Sequence, residues 1–159
     1  MQTTDILLYE TGNGGDLAVL NNDLVMTEAL DPQVYLALFG GNVDANTKPK
    51  YVDSEERFDY WGNSLVWTDK TTRQFNSNTE RAIKANQLNS SGRLAIIQAI
   101  NEDLRYLTSL LTYSVDVSIT GVNSLSITIK FTSKTNQQDK VLQFVYDNAK
   151  NQLIINKEI

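Results

Sequence analysis

VDVSITGVNSLSITIKF, Val115 to Phe131, alternates apolar and polar residues in two runs that a short polar connection separates. A third run, VLQFVYD, repeats the alternation near the end of the chain. Successive side chains of a strand point to opposite faces, so each run has one apolar face. Short polar connections favour antiparallel neighbours, and the pattern therefore predicts a meander over residues 115–147. Its apolar face holds Val115, Val117, Ile119, Leu125, Ile127, Ile129, Phe131, Leu142, Phe144 and Tyr146.

A long amphipathic helix is predicted directly before the meander, over residues 90–111. Ser90 or Ser91 can cap its first turn, and apolar residues recur every three or four positions. The other faces are polar, so this helix should lie across the sheet with one side in water. A shorter helix is predicted between Thr79 and Leu88. The apolar stripe of the long helix comprises Leu94, Ile97, Ile100, Leu104, Leu107 and Leu111.

The first thirty residues are typical of short strands in small β-hairpins. Asp16 and Leu17 recur seven positions later as Asp23 and Leu24, in the segments GDL and NDL. With Glu28 these aspartates could form a carboxylate cluster, but turn chemistry is the favoured interpretation, because Asp beside Gly or Asn bonds the turn backbone.

A short helix should follow over residues 31–40. Asp31 can cap it, Pro32 suits its first turn, and Val34 and Leu38 lie on one inner face. Gly40 can end it. Residues 41–58 are polar without either period, which predicts an exposed loop.

DYWGNSLVW, after that loop, contains both tryptophans of the chain. Tyr60, Trp61 and Trp67 could stack on a sugar or a base, fill the gap between helix and sheet, or form a protein interface. The structural interpretation is favoured because Gly62 permits a bend beside a buried ring. We expect Trp61 to be buried, and Trp61→Ala to destabilise the fold by roughly 3 to 5 kcal/mol.

Composition indicates one soluble domain over residues 1–159, and the predicted helices and strands give it an α+β fold. Hydrophobic residues make up 41% and charged residues 21%, and the net charge of -5 comes from 14 basic and 19 acidic residues. That charge is taken as spread along the chain, and without a basic cluster nucleic acid is not an expected partner. No membrane segment or signal peptide is expected. The final LIINKEI could form an edge strand or cover an interface.

Enzymatic chemistry finds little support in the sequence. Histidine and cysteine are both absent, which removes the commonest general base, the commonest metal ligands and the thiol nucleophile. The acidic group Asp53, Glu55, Glu56 and Asp59 lies in a polar stretch and is typical of a solvated surface. We therefore expect no catalytic residue, no metal site and no cofactor.

The order of these segments resembles the Mu-like family of contractile-phage baseplate wedge proteins, which looks similar in fold to the T4-like short wedge proteins. In that family a GDL repeat precedes a helix, a variable loop, an aromatic element, a long helix and terminal strands. Here the segment AINEDLRYL matches the end of the long helix. Tyr60 stands before Trp61, Asn63 stands where the family often has Asp, and LIINKEI has no counterpart. The matching residues are Asp16, Leu17, Asp23, Leu24, Leu30, Val34, Leu36, Leu38, Phe39, Tyr60, Trp61 and Gly62.

The resemblance implies a structural subunit that contacts other wedge proteins and the tail hub or sheath. It implies a place in the tail baseplate of a virion, after synthesis in the bacterial cytoplasm, and no active site. We expect the domain alone to be monomeric, since it has no coiled-coil or self-dimer stripe. Two alternatives stay open, a tail-associated muramidase and a carbohydrate-binding module that uses Tyr60, Trp61 and Trp67.

Overall fold

The computed structural model describes residues 3–10, 15–41, 75–135, 137–150 and 152–159, and the chain in them has an α+β fold. The loop predicted over residues 41–58 lies outside them, apart from Gly41. The helices are Leu30–Phe39 (α1), Asn78–Ala85 (α2) and Ser90–Asp103 (α3), and a short 3-10 helix covers Arg105–Ser109. The strands are Thr4–Ile6 (β1), Leu8–Glu10 (β2), Gly15–Leu17 (β3), Val19–Leu20 (β4), Asp23–Leu24 (β5), Met26–Glu28 (β6), Leu111–Ile119 (β7), Ser124–Ser133 (β8), Asp139–Asp147 (β9) and Gln152–Glu158 (β10).

The predicted meander forms the centre of a four-stranded antiparallel sheet in the order β10, β9, β8, β7. Val117 lies opposite Ile127, which lies opposite Phe144, and all three side chains are fully buried. The alternation therefore placed the correct residues on the inner face, except that Ile119, at the end of β7, is 39% exposed. LIINKEI contributes to the edge strand β10, one of its two predicted roles, and β7 begins at Leu111, four residues before the predicted start.

The predicted long helix is shorter than its apolar stripe suggested. Neither Ser90 nor Ser91 caps it, because both lie inside its first turn. The cap is the Asn89 side chain, which accepts from the Gly92 N–H at 2.9 Å, and the helix ends at Asp103. Ile96 faces the core at 1% exposed, whereas Leu94 is 63% exposed. In the segment LAII, apolar residues lie on two neighbouring faces of the helix. Periodicity alone therefore predicted that Leu94, and not Ile96, would face the core at this end. After Asp103 the 3-10 helix changes the repeat, and Leu111 lies in a strand.

Helix α1 begins at Leu30, and Asp31 does not cap it. The Asp31 carboxylate instead accepts from the Thr27 hydroxyl at 2.9 Å and lies 2.7 Å from the Lys140 ammonium on β9. Val34 and Leu38 are fully buried, as predicted. The start of α1 is thus held to the sheet by an ion pair with a group from another element.

The helices cover one face of the sheet. Phe39 of α1 lies against two rings of β9, with centroids 5.7 Å from Phe144 and 6.1 Å from Tyr146. The opposite face of the sheet carries mostly serine, threonine and charged residues. Within the described residues the helices and the sheet form two layers, and the N-terminal strands β1 to β6 lie outside the main sheet.

Candidate assembly surface

The six N-terminal strands form three short antiparallel arms around a common centre. The first arm pairs β1 with β6, the second pairs β2 with β3, and the third pairs β4 with β5. The third arm is closed by Asn21 and Asn22, whose φ angles of 52 and 64° suit a tight hairpin turn. We call this unit the three-armed element.

Three residues join the arms by a closed ring of backbone hydrogen bonds. The Leu7 N–H donates to the Val25 carbonyl at 2.8 Å, the Val25 N–H to the Ala18 carbonyl at 2.9 Å, and the Ala18 N–H to the Leu7 carbonyl at 3.0 Å. Each of the three donates once and accepts once. Leu7 lies between β1 and β2, Ala18 between β3 and β4, and Val25 between β5 and β6. The element therefore has an approximate threefold arrangement.

The Asp-Leu repeat belongs to this arrangement, and it has a third member that the sequence reasoning missed. Asp5, Asp16 and Asp23 each accept a hydrogen bond from the N–H of the following residue, at 2.8, 2.7 and 2.8 Å. The N–H of that following residue points away from the partner strand, so strand pairing leaves it without an acceptor. The aspartate carboxylate is its acceptor. The sequence signal is an aspartate, then Ile or Leu, then the aliphatic residue that takes part in the hydrogen-bonded ring. It occurs three times, as DIL, DLA and DLV. The favoured interpretation of Asp16 and Asp23 was turn chemistry, but each carboxylate bonds the N–H of the next residue within a strand and not the backbone of a turn.

Equivalent aliphatic pairs flank the ring in each arm, but their burial differs. In the second arm Leu8 lies opposite Leu17, with Leu8 buried in the main core and Leu17 packed against it. In the third arm Val19 lies opposite Leu24, and these side chains are 64% and 41% exposed. One arm therefore completes the core, while an equivalent pair is left in water.

The third arm and the strand after it concentrate exposed apolar surface. Ten large apolar side chains are exposed in the described part of the chain, and four lie between Val19 and Met26. Leu20 is 65% exposed and Met26 54% exposed. Leu20 lies on the face opposite Val19 and Leu24. Scattered single exposed residues need no explanation, but apolar side chains that share one face, as Val19 and Leu24 do, are typical of an interaction surface.

The charge of this region is also distinctive. Lys48 is the first of the 14 basic residues, whereas seven of the 19 acidic residues precede it. The net charge is therefore not spread evenly, contrary to the expectation from composition. Asp5, Asp16 and Asp23 are all exposed, and the strand alternation places them on the face of the three-armed element opposite the aliphatic pairs.

A second candidate surface is the outer edge of β7. This nine-residue strand pairs with β8 without a register shift and has no strand on its other side within the described residues. The Arg93 side chain donates to the Val117 carbonyl and lies 3.1 Å from Asp116, so it occupies one position of that edge. The opposite edge differs, because β10 contains a register shift and lies beside β2. Long regular edges can accept another strand.

The described residues contain no group of three or more carboxylates that could hold a metal ion. Burial raises the pKa of Asp103, but both its oxygens are occupied. They accept from the backbone N–H groups and the side chains of Asn78 and Thr79, at 2.7 to 3.0 Å. Asp103 therefore ties α2 to the end of α3 and has a structural role.

The predicted site residues fall into three groups. Asp16, Leu17, Asp23 and Leu24 come together in the three-armed element. Leu38 is a core residue with no exposed surface. Tyr60, Trp61, Gly62 and Trp67 lie outside the described residues, as do Asp53, Glu55, Glu56 and Asp59.

Comparisons with known proteins add no relative. No family model matches the chain, and neither the curated proteins nor the solved structures contain a match. Among the helices that the structure describes, none has the length and apolar character needed to cross a bilayer.

Proposed function

We propose that this protein is a structural subunit of the baseplate wedge of a contractile phage tail or a related injection machine. It would act by binding neighbouring tail proteins, without a catalytic step. The proposal rests on the order of sequence segments that resembles the Mu-like wedge family.

One observation carries the proposal most directly. The GDL and NDL segments on which the resemblance begins occupy equivalent positions in the three-armed element. The second of them also forms the exposed hairpin of the third arm, with Leu24 41% exposed. A repeated motif that both builds a hydrogen-bonded element and presents apolar side chains supports a role in assembly.

The other exposed features are compatible with several simultaneous neighbours. The third arm and the β7 edge belong to different sheets. A wedge subunit must contact more than one protein, and two separate surfaces would serve that need. Edge strands and small apolar patches are both common modes of protein recognition.

The test is the location of the protein and the effect of its loss. In a host whose prophage or injection machine carries this gene, we expect gene disruption to leave particles without functional baseplates in electron micrographs. Antibody labelling of complemented particles should mark the distal end of the tail. Normal contractile tails in the disrupted strain would contradict the proposal.

The alternatives give different outcomes with the purified protein. A muramidase would clear a peptidoglycan suspension, and a carbohydrate-binding module would bind a glycan array with loss of binding in Trp61→Ala. We expect neither result, and either one in a correctly folded sample would replace the wedge proposal.

A further inference from the structure

The outer edge of β7 presents backbone hydrogen-bonding groups at alternate positions. Just before β7, the Leu110 carbonyl accepts from the Lys134 N–H at 3.3 Å, and just after it the Thr120 N–H donates to the Ser124 carbonyl at 2.9 Å. Both partners lie at the ends of β8, so the even-numbered residues of β7 face β8. The N–H and C=O groups of its odd-numbered residues therefore point outward, where the described residues provide no further strand.

One of these outward positions is already occupied. The Arg93 side chain donates to the Val117 carbonyl and lies 3.1 Å from Asp116, so it crosses the edge from α3 to the outer face of the sheet. Nearer the start of β7, the outward N–H and C=O groups of Tyr113 and Val115 have no hydrogen-bond partner in the part of the chain that the structure describes. We call these two positions the open edge.

The side chains at the open edge are apolar and only partly covered. Tyr113 and Val115 are half-buried, whereas Ile127 of β8 and Phe144 of β9 are fully buried on the same face. The helices therefore cover the centre of the sheet more completely than they cover β7. A fifth strand beside β7 would bury the remaining apolar surface of Tyr113 and Val115.

Helix α3 lies along the open edge. The Asn101 carbonyl accepts from the Tyr113 hydroxyl at 3.3 Å, and Arg93, two turns earlier, contacts Val117. Helix and strand therefore run in opposite directions. Ile97 lies midway between Arg93 and Asn101 on the same side of the helix, and it is half-buried. A strand added beside β7 would place the side chains of its inner face near Ile97.

Helix α3 also decides which occupant fits the open edge. Within the main sheet, α3 packs mainly against β7. A second copy that paired its own β7 here across a twofold axis would bring its α3 within about one strand spacing, about 4.8 Å, whereas packed helices need about 8 to 10 Å. The open edge is also much smaller than the about 20 to 30 residues that each partner of a stable interface contributes. A single extended segment avoids both difficulties.

We propose that the open edge binds an extended segment of a partner protein as an antiparallel fifth strand. Alternate apolar side chains of the segment lie on the α3 side, beside Ile97, Tyr113 and Val115, and its polar side chains continue the polar outer face. Arg93 ends the pairing at Val117. The proposal rests on the assembly role for the source of the segment, a neighbouring subunit, but not for its chemistry.

The probes are three peptides of alternating valine and threonine, equal in length and flanked by lysines for solubility. One is unmodified, one is N-methylated on its valines, and one is N-methylated on its threonines. In antiparallel pairing, residues opposite each other share a face, so valines on the α3 side also direct their N–H groups to β7. The threonine-methylated peptide should bind as the unmodified one does, and the valine-methylated peptide at least about tenfold more weakly.

Binding is measured on the full isotope-labelled chain by amide hydrogen exchange in NMR. In the free protein, the amides of Tyr113 and Val115 should exchange at least about tenfold faster than those of Ser114 and Asp116, which face β8. The unmodified peptide should slow exchange at Tyr113 and Val115.

Variants test the two side chains of α3. Ile97→Ser should weaken binding of the unmodified peptide at least about fivefold. Leu94→Ser is the matched control, because Leu94 is 63% exposed on the same helix, and it should leave binding unchanged. Arg93→Ala should extend the slowed exchange to Val117. Lys130→Ala removes the cation of another exposed ion pair and should not do so.

Each contrary result overturns the proposal. Tight binding of the valine-methylated peptide would exclude antiparallel pairing, and slow exchange at Tyr113 and Val115 in the free protein would mean that the edge is already covered. A concentration-dependent dimer in sedimentation that slows the same two amides would show that a second copy is the occupant. The methylated peptides need no variant, so the test stands if Ile97→Ser does not fold. The peptide results do not depend on a tail, so they can fail while the distal tail labelling succeeds, and the reverse also holds.

Discussion

The main sheet and the three-armed element use the same antiparallel pairing at very different lengths. β7 and β8 pair over nine continuous positions, and β8 and β9 pair over nine more. The arms pair over two or three positions each. The sheet gains its stability from a buried apolar face, whereas arms this short cannot be stable alone in water.

The difference shows how a small element with little core can keep a defined shape. Its ring of three hydrogen bonds satisfies the backbone where the arms meet, and its aspartates satisfy the adjacent edge donors. The Lys140 side chain, only 10% exposed, then links the sheet to Glu28 of β6 and to Asp31 of α1. Polar contacts define the element, and the sheet supports it.

The largest effect is expected in the main core. Phe144 is fully buried at the centre of the sheet, and its aromatic ring contacts that of Phe39. Phe144→Ala therefore removes both buried apolar surface and this aromatic contact. The free energy of unfolding should fall by about 3 to 5 kcal/mol, measured by urea denaturation. Val145→Ala on the other face is the control and should cost much less. A loss below about 1 kcal/mol for Phe144→Ala would mean that the sheet is not the main source of stability.

The next effect is expected at the link between the two regions. Lys140→Gln removes the cation that lies 2.9 Å from Glu28 and 2.7 Å from Asp31. The partly buried Asp31 carboxylate then has no cation beside it. We expect a loss of about 2 kcal/mol, below the range for fully buried pairs because Glu28 is partly exposed. Amide exchange should accelerate at Leu7, Ala18 and Val25 before it does in the sheet.

A surface pair provides the control for that variant. Lys130 lies 2.6 Å from Asp139, but both side chains are about half exposed. Lys130→Gln should leave unchanged both the urea midpoint and the amide exchange rates of Leu7, Ala18 and Val25. If the two variants behave alike, the Lys140 contacts do not hold the element to the sheet.

The sheet was predictable from the sequence because every residue of the alternating pattern indicates the same assignment of faces. One face of each strand is apolar, and a slip by one position would expose all of it. The approximate threefold ring was not predictable in the same way. The three residues that form it, Leu7, Ala18 and Val25, differ in size, and no periodicity of the sequence marks the backbone bonds between them. Asp5 was missed because a repeat with only two recognised members gives no reason to look for a third.

Asp103 gives a prediction about pH. Burial raises its pKa above 3.8 in the folded state, so the folded protein holds this proton more tightly than the unfolded chain does. The corresponding stability is fully present below the unfolded pKa and is lost as pH rises through the folded pKa. The free energy of unfolding of the wild type, minus that of Asp103→Asn, should therefore fall as pH rises above 3.8. A difference that grows with pH would show that the hydrogen bonds from Asn78 and Thr79 outweigh burial.

The smallest effect separates two equivalent positions of the repeat. Leu17 and Leu24 each follow an aspartate that accepts their N–H, and each lies opposite an aliphatic residue of the neighbouring strand. Leu17→Ser should cost about 1 to 2 kcal/mol because Leu17 packs against the core. Leu24→Ser should change the free energy of unfolding by less than about 0.5 kcal/mol. The same substitution in the same local geometry cancels differences in strand propensity, so the measured gap reports burial alone. A cost at Leu24 equal to that at Leu17 would mean that the third arm stabilises this domain and is not an uncovered surface.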